Sequence, residues 1–340
     1  MSAHELVEPF ERLLADACPP ALVRAIERGA DAAPLWARLE ASGFVDTLVP
    51  ESVGGAGLRL ADAFALFVTE GGHALPLPLA HTMLVRALLA RDGIAAPPGS
   101  IAIAARVNVA PDGAVSCAAT PYGRVADSVA VALADGWRVL PAASAERTAS
   151  GVHGSLRADL RWPRMPADAI VVTAPLASSE AGAALTAALL AGAMARVLDI
   201  TVAFANDRVQ FGKSIGKFQA IQHQLAVMAE HVAAARMAAE IGCAGAGPSP
   251  APLRAALAKA RTSEAAALVA PMAHAVHGAI GITAELDLQL YTRRLHEGRA
   301  DYGAEGHWNR VVGRALLDAD GGALDFMRSA LIPSNDELRP

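Results

Sequence analysis

Aromatic residues make up only 4% of this 340-residue chain. A core with so few rings is built from aliphatic side chains, and hydrophobic residues at 53% point to alanine-rich helices packed closely together. Cysteine is scarce as well. Cys18, Cys117 and Cys243 lie far apart without metal-type spacing, which argues against a zinc ligand set and for a reducing cytoplasm. There is no surplus of positive charge: 29 Lys+Arg against 34 Asp+Glu leave −5, and no basic stripe offers a footprint for nucleic acid. The uncharged run Ala181–Ala195 falls short of the ~18 apolar residues of a spanning helix, so no membrane insertion is expected. The N-terminus carries acidic residues and no cationic start, so it does not read as a secretion signal. No G-x-G-x-x-G follows a predicted strand, and βα alternation is missing, which argues against a doubly wound nucleotide fold.

What is present divides into three stretches, consistent with ~150 residues per domain. Residues 1–97 read as a helical domain: Ser2-x-x-Glu5 forms a capping-box pattern before the stripe Leu6, Phe10, Leu13 and Leu14. Further stripes follow at Leu35, Trp36, Leu39, at Leu60, Phe64, Phe67, Val68, and at Met83, Leu84, Leu88, Leu89. Residues 98–175 read as a small β domain. Val129, Val131 and Leu133 alternate, Asp135-Gly136 makes a turn, and Trp137–Leu140 returns as a hairpin, with further strands at Ile101–Ala105 and Ala169–Val172. Residues 176–340 return to helix, with long segments ending at Asp207, spanning Phe218 to Cys243, and running from Leu253 to His277 with Pro271 inside. Shorter helices are expected at Trp308–Leu317 and Leu324–Leu331. The fold class is α+β, mainly α.

Between the first two long helices the sequence places Arg208-Val209-Gln210-Phe211-Gly212, then Lys213 to Phe218-Gln219. Two rigid elements thus hold a cationic fork beside flat and amide-bearing side chains. Arginine grips phosphate with two parallel N–H donors, so this corner suits a phosphate-bearing aromatic cofactor. Read blandly, Arg208 is a helix-end cation paired with a nearby carboxylate, Phe211 and Phe218 are core residues, and His274 and His277 are solvated or capping rather than metal ligands.

The chain resembles the acyl-CoA dehydrogenase family over nearly its whole length. The match is carried by Leu48-Val49-Pro50-Glu51 with Gly54-Gly55-Ala56-Gly57, by Arg208-x-x-Phe211-Gly212 through Phe218-Gln219, and by His277-Gly278-Ala279-Ile280-Gly281-Ile282-Thr283. The resemblance implies an N-terminal helical domain, a middle β domain and a C-terminal four-helix bundle, with FAD bound at a subunit interface. Arg208 would meet the pyrophosphate. Gln210, Phe211, Phe218 and Gln219 would line the adenosine side, and Gly278 and Gly281 would allow close approach from the neighbouring chain.

The family removes an α-proton with a carboxylate while the flavin takes a β-hydride, and the base must reach the α-carbon. Of the two family locations for that base, one falls on Tyr302, before Gly303-Ala304, and the other on Gly182. Neither is acidic, so the catalytic residue is left unassigned. A tyrosine working as base near neutral pH would need a shift worth roughly 4 kcal/mol. A slip in register would instead bring Asp301, Glu305 or Glu180 to the spot. The loop and strand motifs that contact the flavin ring in the family are missing, and Ala275 stands where the family usually has glutamine.

The phosphate grip is thus kept while the ring side is eroded. The resemblance then implies FAD-dependent α,β-dehydrogenation of an acyl-CoA thioester, carried out with a paralogous partner subunit that supplies the base. Paired subunits of this kind act on bulky acyl groups such as steroid side chains, and this chain resembles the shorter, base-lacking one. One competing reading is a structural subunit that binds no FAD alone. Another is a serine hydrolase, because Gly212-Lys213-Ser214-Ile215-Gly216 matches G-x-S-x-G and would make Ser214 the nucleophile. No residue pattern identifies the electron acceptor.

Overall fold

The computed structural model describes residues 3–174, 176–245 and 247–331. Ser2 of the expected capping box lies outside them. The chain opens with five helices: α1 (Ala3–Ala17), α2 (Pro20–Glu27), α3 (Ala33–Ala41), α4 (Leu60–Gly72) and α5 (Leu79–Arg91). α1 buries Phe10 and Leu14, which belong to the expected stripe, and α4 buries Leu60, Phe64 and Phe67. The loop between α3 and α4 carries the Val49-Pro50-Glu51 segment and a short 3-10 turn at Glu51–Val53.

Eight strands follow: β1 (Ile101–Ile103), β2 (Val107–Val109), β3 (Val115–Thr120), β4 (Ser128–Leu133), β5 (Gly136–Pro141), β6 (Glu146–Ala149), β7 (Ala158–Trp162) and β8 (Ile170–Val172). They form two four-stranded sheets, ordered β1-β4-β5-β8 and β2-β3-β7-β6. β4 and β5 make the expected hairpin, pairing Leu133 with Gly136, while β1 runs parallel to β4. In the first sheet Val129, Val131 and Leu140 face the second sheet, whereas Ala130, Trp137 and Val139 face the helices. With both faces covered, its strands carry apolar residues at successive positions. The second sheet has one wet face, so β7 alternates buried Ala158, Leu160 and Trp162 with exposed Asp159 and Arg161. That sheet was not anticipated, because its strands are short and carry arginine and aspartate on the open side.

The rest is helical: α6 (Ser178–Asp207), a two-strand hairpin β9 (Val209–Gln210) and β10 (Lys213–Ser214), α7 (Gln219–Cys243), α8 (Pro252–His277), α9 (Leu288–Ala300), α10 (Glu305–Leu317) and α11 (Ala323–Leu331). α6 to α9 pack as a bundle, and α6 also crosses α4. Small residues make this possible. A Cβ on Gly192 of α6 would lie 2.8 Å from the carbonyl carbon of Val68, so the α4 and α6 backbones touch. Pro271 sits inside α8 without ending it.

Two helical stretches, Ser178–Asp207 and Pro252–Ile282, are long and apolar enough to cross a membrane by composition. This corrects the reading made from Ala181–Ala195 alone, since residues 265–284 hold a longer run without Asp, Glu, Lys or Arg. The most apolar windows of the two are 50% and 44% buried, as core helices of a bundle are, and pairwise packing with their neighbours accounts for their hydropathy.

Candidate functional site

The segment after α6 forms a two-residue hairpin. Gln210 pairs with Lys213 across Phe211 and Gly212, whose φ values of 52° and 79° are those of a tight primed turn. A phenylalanine in the left-handed region is unusual, and Phe211 spends no packing to hold it there: 89% of it is exposed. Its ring meets Phe218 edge-on at 6.2 Å, and Lys213 Nζ lies 4.3 Å from the Phe218 ring centre. Arg208 caps α6, exposed, and makes no ion pair among the described residues; Gln210 and Gln219 are exposed too. The bland readings of Arg208 as a paired cation and of Phe211 as core therefore fail.

The glycine turn lies at the same end of the bundle. Phe204, four residues before Arg208, stacks on His277 at 4.4 Å between ring centres. Gly278 adopts φ 63°, ψ −143°, with open space where a Cβ would be, and Gly281 is buried against His277. The His277 ring is buried, with Nδ1 2.8 Å from Ala273 O and no partner at Nε2. Burial lowers its pKa, which makes it a neutral ring rather than a cationic cap. His274 Nε2 lies 3.0 Å from Thr292 Oγ1. One end of the bundle thus presents an unpaired guanidinium, an exposed aromatic, two amides and an open glycine turn. These fit the phosphate and adenosine end of FAD as an open half-site.

Tyr302 is buried, donates its hydroxyl hydrogen to Ile103 O at 2.7 Å, and lays its ring against Gly182. The two expected base positions therefore touch each other, one filled by a ring and the other emptied to make room. Burial, with Asp301 and Tyr122 nearby, raises the Tyr302 pKa well above its usual value, the wrong direction for a base. Asp301 is tied to Arg157 at 2.7 Å, and burial pushes its carboxyl up to about 6. Glu305 is bound by Arg299 at 2.9 Å, which lowers its pKa, and Glu180 lies in the first turn of α6. Beside Tyr302, between the N-terminal helices, the sheets and the bundle, is a chamber of about 90 Å³, below the ~300 Å³ at which ligand pockets begin. Ser214 ends a two-residue strand with ordinary extended backbone, so it lacks the strained strand-to-helix elbow of a hydrolase nucleophile.

Lys259 was not anticipated, although a lone lysine within an alanine-rich helix was a visible signal. It is fully buried and donates to Ser263 Oγ at 2.8 Å, Arg299 O at 3.0 Å and Gly303 O at 2.9 Å. It thereby ties the turn that carries Asp301 and Tyr302. Burial lowers its pKa from 10.5 to about 7. The folded value lies below the unfolded one, so this group's contribution to stability grows from about pH 7 to about pH 10.5 and is lost as pH falls through about 7. Urea unfolding across that window should show this slope, and Lys259→Met should flatten it.

Residues 176–317 match the family model described as "Acyl-CoA dehydrogenase, C-terminal domain". The chain is 36% identical over 315 residues to the acyl-CoA dehydrogenase IpdE2 of Mycobacterium tuberculosis, covering 86% of this chain and 90% of that protein. Its fold is like that of a chain of the ChsE4–ChsE5 complex from Mycobacterium tuberculosis, with TM-score 0.80, 20% identity and coverage of 94% and 98%. A chain of a Tcur3481–Tcur3483 steroid ACAD variant also gives TM-score 0.80, at 23% identity and coverage of 93% and 98%. With identity above one third along most of both sequences, the chain belongs to the acyl-CoA dehydrogenase family.

Proposed function

We propose that this chain is the base-lacking subunit of a heteromeric acyl-CoA dehydrogenase, and that it holds the nucleotide end of an FAD shared with a paralogous partner. Arg208 grips the pyrophosphate, and Gln210, Phe211, Phe218 and Gln219 lie along the adenosine. Gly278 and Gly281 let the adjoining backbone approach. The observation that carries the reading is the Tyr302–Gly182 contact, which fills both places where a catalytic carboxylate would stand. The partner supplies the base and the thioester site, and FAD, when bound, accepts the hydride. The likeness to chains of the ChsE4–ChsE5 complex and of a steroid ACAD supports two unlike chains and a bulky acyl-CoA. We place the domain boundaries at 1–97, 98–175 and 176–340, and the protein in the cytoplasm.

A purely structural subunit, with no role in FAD binding, is the second reading, favoured by the closed ring side. Co-expression with a paralogous dehydrogenase and measurement of flavin per chain separates the two. The expected result is one FAD per two unlike chains, together with flavin loss when Arg208 is removed. One FAD per chain in a homomer that oxidises a thioester would overturn the proposal.

A further inference from the structure

The chamber beside Tyr302 is closed on one side by the loop between β6 and β7. Gly154, Leu156 and Arg157 of this segment form part of its wall. The loop is held down from three directions. Arg293 of α9 donates from Nη1 to His153 O at 2.8 Å. Arg124 donates from Nη1 to Ser155 O at 2.6 Å, and Arg157 pairs with Asp301.

Two of these ties run through one residue. Glu27, the last of α2, is 6% exposed and clasps Arg293 Nη2 at 2.7 Å with one carboxylate oxygen and Arg294 Nη1 at 2.6 Å with the other. Its backbone carbonyl accepts the same Arg124 Nη1, at 3.1 Å, that holds Ser155. Gly154 lies directly over the clasp. A Cβ there would come within 2.7 Å of Arg293 Cζ and 3.0 Å of Glu27 Oε2, and its φ of +76° disfavours any other residue. Meanwhile Val152 at the tip is 65% exposed, whereas Leu156 is buried in the core, so it is the tip, residues 151–154, that is fastened mainly by these polar ties.

We propose that residues 151–154 are a latched lid at the mouth of the chamber, and that release of the Glu27 clasp on Arg293 and Arg294 widens its opening to solvent. Without the Glu27 carboxylate, Arg293 loses the partner that aims it at His153, and the lid swings on the two positive-φ glycines Gly151 and Gly154. The latch is independent of whether the chain binds FAD.

Hydrogen exchange on the purified full chain tests it. In Glu27→Gln, and separately in Gly154→Ala, which leaves every charge in place, amides 151–154 should exchange about tenfold faster while α6 and α8 keep their rates. Maleimide should also label Ala193→Cys, which lines the chamber, about tenfold faster when combined with Glu27→Gln, relative to the parent chain with its three buried cysteines. If either variant is too unstable to purify, Arg293→Lys, which keeps the charge but lacks the fork that reaches Glu27 and His153 O together, should speed exchange in the lid selectively. Unchanged lid exchange, or an increase shared equally by α6, would overturn the proposal.

Discussion

Gly182→Ala should cost about 2–3 kcal/mol of stability, even though alanine is worth about 1 kcal/mol more than glycine in a helix interior. The added Cβ would overlap the Tyr302 ring, standing 2.5 Å from Cγ and closer still to two other ring carbons. Tyr302 cannot retreat, because its hydroxyl is bonded to Ile103 O and Trp308 Nε1 holds its backbone carbonyl at 3.1 Å. Tyr302→Ala alone should cost about 3–5 kcal/mol, by emptying a buried site. In that background Gly182→Ala should become neutral or stabilising, since the methyl enters vacated space and the helix propensity remains. Urea unfolding of the four chains gives the coupling directly. A Gly182→Ala penalty that persists without the Tyr302 ring would mean that some other contact causes it. The same contact explains why a single substitution should not place a working carboxylate base at either position. Tyr302→Glu would face its carboxylate toward the carbonyl of Ile103, and Gly182→Glu would run into the tyrosine.

Much of this architecture was legible because it rests on periodicity. The β4–β5 hairpin follows from alternation around Asp135-Gly136, and α7 follows from Phe218, Ile221, Leu225, Met228 and Val232 at helical steps. The second sheet was hidden because β2 and β6 are exposed and short, so little apolar alternation marks them. Counting from motifs led to Tyr302 and Gly182 as the expected base positions, and the structure adds that these two residues touch. Sequence could not have given that contact, since residues 182 and 302 meet only through the packing of α6 against the turn after α9. The Glu27–Arg293–Arg294 clasp was invisible for the same reason: its members are more than 260 residues apart. Lys259 differs, because a cation among alanines already required partners once the helix was known to be buried.

Arg208 offers the sharpest functional test, because its side chain does nothing for the folded chain. It is exposed and makes no ion pair among the described residues, so Arg208→Ala should leave the unfolding midpoint unchanged. If it grips the pyrophosphate across a contact between protomers, the same change removes a charge-assisted hydrogen bond worth about 1.5–3 kcal/mol. Flavin affinity of the assembled heteromer should then fall roughly 10- to 150-fold. Arg208→Lys should recover only part of that loss, because an ammonium keeps the charge but not the planar fork that meets two phosphate oxygens at once. Phe211→Ala should weaken binding as well without destabilising the chain, since an 89% exposed ring has little packing to lose. Fluorescence titration of FAD against each assembled variant reads all three. Retention of full affinity by Arg208→Ala, in a heteromer that still assembles, would mean that the nucleotide is held elsewhere and that the half-site at the end of the bundle serves only the contact between chains.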